Sequence, residues 1–130
     1  MTVAYLDASA AAKLFVEEPE SSGLRRYLSG AVGRTSSALL RAELIRVASR
    51  YDTKRVGEAR IVLGRITLRE IDNEVLDRAG ELAPKTLRTL DAIHLATASL
   101  LGSELEAVVT YDRRMIEAAQ VYGLPVASPA

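Results

Sequence analysis

Two periodicities alternate along the chain. Val3-Ala4-Tyr5-Leu6 is an unbroken apolar run that stops at Asp7. Such a run predicts a strand covered on both faces. Small, helix-favouring residues follow from Ala8 to Val16 and give way at Glu17-Glu18-Pro19, because the residue before proline is pushed out of the helical region. A second helix is predicted over Glu20 to Leu28, closed by Ser29-Gly30. Arg34-Thr35-Ser36 reads as a short strand. Ser37 is placed as the N-cap of a helix from Ala38 to Tyr51, with Leu40, Leu44 and Val47 on its apolar stripe. Thr53 is placed as the cap of a further helix through Leu63. Ile66 to Ile71 has the two-residue alternation of a strand.

Asp72 then caps a helix to Ala83, stopped by Pro84. After a connector, Lys85 to Leu90, Asp91 starts an alanine- and leucine-rich helix through Leu101 and Gly102. Glu106 to Thr110 is a strand. Asp112 starts a helix to Tyr122, and Leu124 to Ala127 is a last short strand. Strands alternating with helices predict an α/β fold with a parallel sheet of four to five strands between helical layers. With 130 residues and no repeat or linker, residues 1–130 are expected to form one domain.

Composition narrows the chemistry. The chain has no cysteine and one histidine, which excludes thiolate zinc sites, cysteine nucleophiles and multi-histidine metal sites. Any metal would need oxygen ligands, which favours magnesium or manganese over zinc. Formal net charge is zero, so bulk positive charge does not hold this protein to nucleic acid, although a local basic patch would. With no tryptophan and one phenylalanine, an aromatic platform for single strands is not expected. No stretch approaches the roughly 18 apolar residues of a membrane span. The N-terminus lacks the basic lead and apolar core of a signal peptide, so the expected location is the cytoplasm.

Four acids stand apart from the scattered surface charge: Asp7, Glu43, Asp91 and Asp112. Three fall where a strand or connector meets a helix; Glu43 lies within a helix beside an apolar stripe. Each has a plain alternative role. The aspartates are good helix caps, and Glu43 is within reach of Arg46 and Arg50 on its own helix. As a set they say more. Gathered at one sheet edge, at separations near ~5 Å and an effective dielectric near ~20, each carboxylate pair would cost about 3 kcal/mol. Such a cluster must protonate, spread or bind cations. One or two magnesium ions would relieve it, and a pocket of that kind suits hydrolysis of a phosphodiester by activated water.

Leu6-Asp7-Ala8-Ser9, the Ala42-Glu43 pair, Leu90-Asp91-Ala92-Ile93-His94-Leu95-Ala96-Thr97-Ala98 and Thr110-Tyr111-Asp112 occur in an order that resembles PIN-domain ribonucleases, most nearly the VapC toxins of bacterial toxin–antitoxin pairs. The match covers nearly the whole chain, and the stretch around Asp91 is its most specific part. The resemblance implies a PIN-like three-layer α/β/α sandwich. It implies a magnesium- or manganese-dependent endoribonuclease whose Asp7, Glu43, Asp91 and Asp112 coordinate metal directly or through water. It further implies a structured RNA substrate, often transfer RNA, a cognate VapB antitoxin and a homodimer.

Accessory residues can be weighed beside the acids. Ser9 either caps the first helix or orients a metal-bound water or phosphate. Thr110, two residues before Asp112 on the same side of an extended segment, either satisfies a strand end or bonds a metal ligand. His94 is assigned a packing role beneath the pocket rather than that of general base. Arg41, Arg88 and Arg113 are candidate phosphate contacts, with Arg34, Arg46, Arg50 and Arg114 as further members of a basic rim. Leu39, Leu40, Leu44, Val47, Val56, Ile61, Val62 and Leu63 serve either the core or a partner surface. Two other functions fit an α/β chain of this kind. One is a non-catalytic binding module on the same fold. The other is a phosphoacceptor domain, which would want a second acid beside or two residues after Asp7, where Ala8 and Ser9 stand.

Overall fold

Strand β1 (Val3–Leu6) is buried on both faces, as its apolar run requires. Its side chains divide by alternation. Ala4 and Leu6 join one hydrophobic cluster, and Tyr5 joins another on the opposite side. The remaining strands are β2 (Gly33–Ser37), β3 (Thr67–Arg69), β4 (Leu105–Val109) and β5 (Val126–Ala127). All pair in parallel, in the order β3-β2-β1-β4-β5. The computed structural model describes residues 2–30 and 32–130.

Helices cover both faces. α1 (Ala8–Ala12), α2 (Ser21–Leu28), α3 (Leu40–Ser49) and α4 (Thr53–Leu63) pack on the Ala4/Leu6 side. α6 (Thr89–Ser99) and α7 (Arg113–Val121) pack on the Tyr5 side, and α5 (Asn73–Glu81) leans on α6 through Val75, Ile93 and Ala96. The result is the three-layer α/β/α sandwich with a central parallel sheet. Among the described residues no helix is long and apolar enough to cross a membrane.

Several boundaries differ from the sequence expectation, each for a local reason. α1 stops at Ala12, and Lys13, Leu14 and Phe15 continue in a tighter turn bonded to Ala10, Ala11 and Ala12. Ser37 ends β2 while its hydroxyl accepts the Leu39 N–H at 3.1 Å, so α3 begins only at Leu40. Asp52, not Thr53, caps α4: it has extended backbone and accepts the Arg55 N–H at 2.8 Å. Asp91 is not a cap. α6 starts at Thr89, which places Asp91 in its first turn. Most of the surplus apolar residues on α3 and α4 are core: Leu40, Leu44, Val62 and Leu63 are buried, and Leu39, Val47 and Val56 are partly covered. Ile61 is the exception, at 59% exposure.

Candidate active site at the carboxyl ends of the central strands

The chain builds β1, β2 and β3 outward in one direction, then returns to place β4 and β5 on the other side of β1. The order reverses between β1 and β4. In open α/β sheets the crevice beyond the carboxyl ends at such a point is where ligands bind. Asp7 follows β1 directly, and Asp112 lies three residues beyond the end of β4.

Asp7 is 5% exposed and takes three hydrogen bonds. Oδ1 accepts the Ser9 hydroxyl at 2.6 Å and the Ala10 N–H at 3.0 Å; Oδ2 accepts the Thr110 hydroxyl at 2.5 Å. Asp7 therefore caps α1 directly at the carboxyl end of β1. Burial drives its carboxyl above the ordinary aspartate range, and these three donors only partly offset the effect. Ser9 is not the cap. Its hydroxyl donates to Asp7 and accepts the Tyr111 N–H at 2.9 Å. Thr110 bonds in two directions. It donates to Asp7, and it accepts the Asp112 N–H at 3.1 Å. Asp112 caps α7 by accepting the Arg114 N–H at 2.9 Å. Ser9 and Thr110 thus tie Asp7 to the segment that carries Asp112.

Glu43 reaches the crevice from α3, where it bonds neither Arg46 nor Arg50. Its Oε1 lies 2.6 Å from Nε2 of His94, and Nδ1 of His94 lies 2.6 Å from the Tyr5 hydroxyl. An ionised carboxylate only accepts, so Nε2 carries the proton. This chain runs from the middle of β1 through α6 to α3, and His94 is 2% exposed. The expected packing role for His94 was incomplete. The missed signal was Tyr5: a phenol in a doubly covered strand needs a polar partner.

Asp91 lies on the first turn of α6 and is half-buried. Burial raises its pKa first, then the charge of Asp112; His94 and Arg88 oppose the rise, and Glu43 adds to it. Asp112 and Glu43 therefore both disfavour the charged form of Asp91. Among the described residues no three acidic or imidazole side chains stand close enough to enclose an ion unaided. The arrangement is an open, oxygen-only rim. Magnesium tolerates such a rim because it keeps several of its waters, and the unrelieved repulsion at Asp91 is what a cation would remove. The donor chemistry fits. Arg41, Arg88 and Arg113 are all exposed, and none of the three is held in an ion pair among the described residues.

Residues 4–121 match the family model of the PIN domain. The chain belongs to the PIN-domain family. Within it, the chain stands with the VapC-type ribonuclease toxins. It is 48% identical over 130 residues to Ribonuclease VapC46 of Mycobacterium tuberculosis, covering 100% of both chains. It is 40% identical over 130 residues to Ribonuclease VapC47 of the same species, covering 96% of each. Among solved structures, a toxin–antitoxin complex from Klebsiella pneumoniae superposes with a TM-score of 0.74 at 23% identity, over 98% of both chains. VapBC2 from Rickettsia felis, bound to a DNA fragment from their promoter, superposes with a TM-score of 0.76 at 14% identity, over 99% of this chain and 100% of that one. At those identities the two structures establish the shared fold.

Proposed function

We propose that this protein is a magnesium- or manganese-dependent endoribonuclease, the toxin of a type II toxin–antitoxin pair, with Asp7, Glu43, Asp91 and Asp112 as its metal-holding and catalytic residues. One observation carries the reading. Asp7 and Asp112 follow the carboxyl ends of β1 and β4, the strands on either side of the switch point, and Asp112 and Glu43 both oppose the charging of Asp91. When bound, a divalent ion supplies an activated water and neutralises charge on the phosphate.

The chain's own side chains do the rest. Ser9 and Thr110 fix the Asp7 carboxylate. His94 holds one oxygen of Glu43 and leaves the other free to face the crevice. Arg41, Arg88 and Arg113 supply phosphate contacts that draw RNA toward an otherwise repulsive rim, so cleavage weakens as salt rises. The substrate class is a structured RNA, with transfer RNA the first candidate. A VapB-type antitoxin silences the site, and the working form is a homodimer. The names of the VapC relatives support ribonuclease activity, and the Klebsiella and Rickettsia complexes make an antitoxin partner the natural expectation.

The decisive experiment incubates antitoxin-free protein with total RNA, with magnesium and with excess chelator, beside Asp91→Asn. Defined fragments with magnesium, and none from the variant or the chelated sample, are expected. Full activity in chelator or in Asp91→Asn would overturn the reading. Sequencing the fragment ends names the target.

A further inference from the structure

A groove of about 560 Å³ begins at Asp91 and extends along α7. Its volume lies in the range that encloses small organic ligands. Leu87, Ala118 and Val121 give it apolar walls, and Arg114 and Glu117 give it polar ones. Val121 is 68% exposed, an apolar side chain without cover. Just beyond the groove, the Tyr122 hydroxyl after α7 donates to the Ala83 carbonyl at 2.7 Å, next to the lining residues Val121 and Pro84.

Arg114 and Glu117 are three residues apart on α7 and so are neighbours on one face. Among the described residues they form no ion pair with each other or with any third group. A free donor thus stands beside a free acceptor on the wall of an apolar slot. We propose that this groove receives the nucleobase next to the phosphate at the acids, and that the base it fits is guanine. The proposal rests on the ribonuclease reading for its substrate class. Asp91 belongs both to the crevice and to the groove, so a strand whose phosphate sits at the acids must lay an adjoining nucleoside along the groove or lift it into solvent.

Guanine follows from the order of donors and acceptors. Its pairing edge carries the O6 acceptor beside two donors, N1–H and the N2 amino group. Arg114 matches the first, and the Glu117 carboxylate accepts from both of the others. Adenine and cytosine place a single amino donor next to an acceptor nitrogen. Uracil offers one N–H between two carbonyl oxygens, one of which would oppose Glu117.

Nuclear magnetic resonance of the metal-free, isotope-labelled full chain tests this with guanosine, inosine, adenosine, cytidine and uridine. Guanosine should shift the amides of Leu87, Ala118 and Val121. It should bind about tenfold more tightly than uridine, the lower end of what a bidentate carboxylate contact discriminates. Inosine, which lacks the N2 amino group, should fall between them. Glu117→Gln should reduce the guanosine preference to under about threefold, and its own spectrum reports whether it is folded. Silence of the groove amides toward every nucleoside overturns the proposal. So does equal binding of all five that Glu117→Gln leaves unchanged. No metal or cleavage is involved. A groove that selects guanosine in a protein that cuts no RNA would sink the ribonuclease reading alone, and an active ribonuclease with a silent groove would sink this one alone.

Discussion

His94 Nε2 lies 2.6 Å from Glu43 Oε1, and the same ring lies 2.6 Å from the Tyr5 hydroxyl on its other side. One imidazole therefore couples a core phenol to a crevice carboxylate. Its value to the fold is satisfaction: each polar atom left buried and unbonded costs about 1–3 kcal/mol. Its value to the site is orientation. His94→Ala should lower the urea midpoint by an amount equivalent to about 1–3 kcal/mol and cut kcat strongly. Tyr5→Phe keeps the ring in place and should lower kcat with little change in KM for RNA. Wild-type kcat in folded Tyr5→Phe would leave the chain of bonds with a structural role only.

Asparagine at Asp7 or Asp91 separates stability from activity. Burial makes the charged form of Asp7 costly, and burial with Asp112 nearby does the same at Asp91. An amide removes that charge, and at Asp7 it still offers an oxygen to the Ala10 N–H. Metal-free Asp91→Asn is expected to melt at or above the wild-type temperature, whereas Asp7→Asn sets an amide NH2 where Oδ2 accepts the Thr110 hydroxyl and gives back part of that gain; neither should cut RNA. A melting temperature of Asp91→Asn several degrees below wild type would show that this carboxylate is structural.

The same shifts fix a pH dependence. Both folded pKa values lie above the unfolded aspartate value, about 3.9. The folded state therefore holds protons that the unfolded state has already released, and the stabilisation they bring is complete below that value and lost as pH rises through the folded pKa. Metal-free protein should lose stability as pH rises above the unfolded aspartate value and through the raised folded pKa values, and saturating manganese should remove the slope. Glu17 and Glu20 shift the opposite way through Arg25 and Lys13, but on the exposed surface. Urea midpoints of wild type and Asp91→Asn across the range isolate the Asp91 share. Parallel curves would contradict the assignment.

Thr110→Val tests the link between Asp7 and Asp112. The side chain is fully buried, and valine fills nearly the same space without the hydroxyl. Asp7 Oδ2 loses its donor, and the Asp112 N–H loses its acceptor. A destabilisation of about 1–3 kcal/mol is expected, with weaker manganese binding by calorimetry. Thr110→Ser should restore most of both. Failure of serine to rescue binding would point to packing instead.

Much of this architecture was readable beforehand because local chemistry and the final fold agree. The run at Val3–Leu6, the caps at Asp72 and Asp112 and the switch of period at each junction all survive in the structure. Readings failed where two residues compete for one role. Asp52 stands before Thr53, and the stronger acceptor caps the helix. Asp7 stands two before Ser9, and the serine is drawn into bonding the aspartate. At Asp91 helical propensity extends the helix upstream to Thr89. The Tyr5–His94–Glu43 chain was not legible in the sequence. It joins residues whose separations, 89 and 51 positions, leave no local periodicity to detect.

The two strands that meet at the middle of the sheet are β1 and β4, and the bond between Asp7 and Thr110 spans 103 positions of sequence. Closing so long a loop is slow and yields nothing until both ends have been made. During synthesis, then, the earlier acids wait without their partner until most of the polypeptide has left the ribosome. A chain that stops short of Thr110 leaves Asp7 Oδ2 without its donor, so this corner of the molecule closes only late in synthesis.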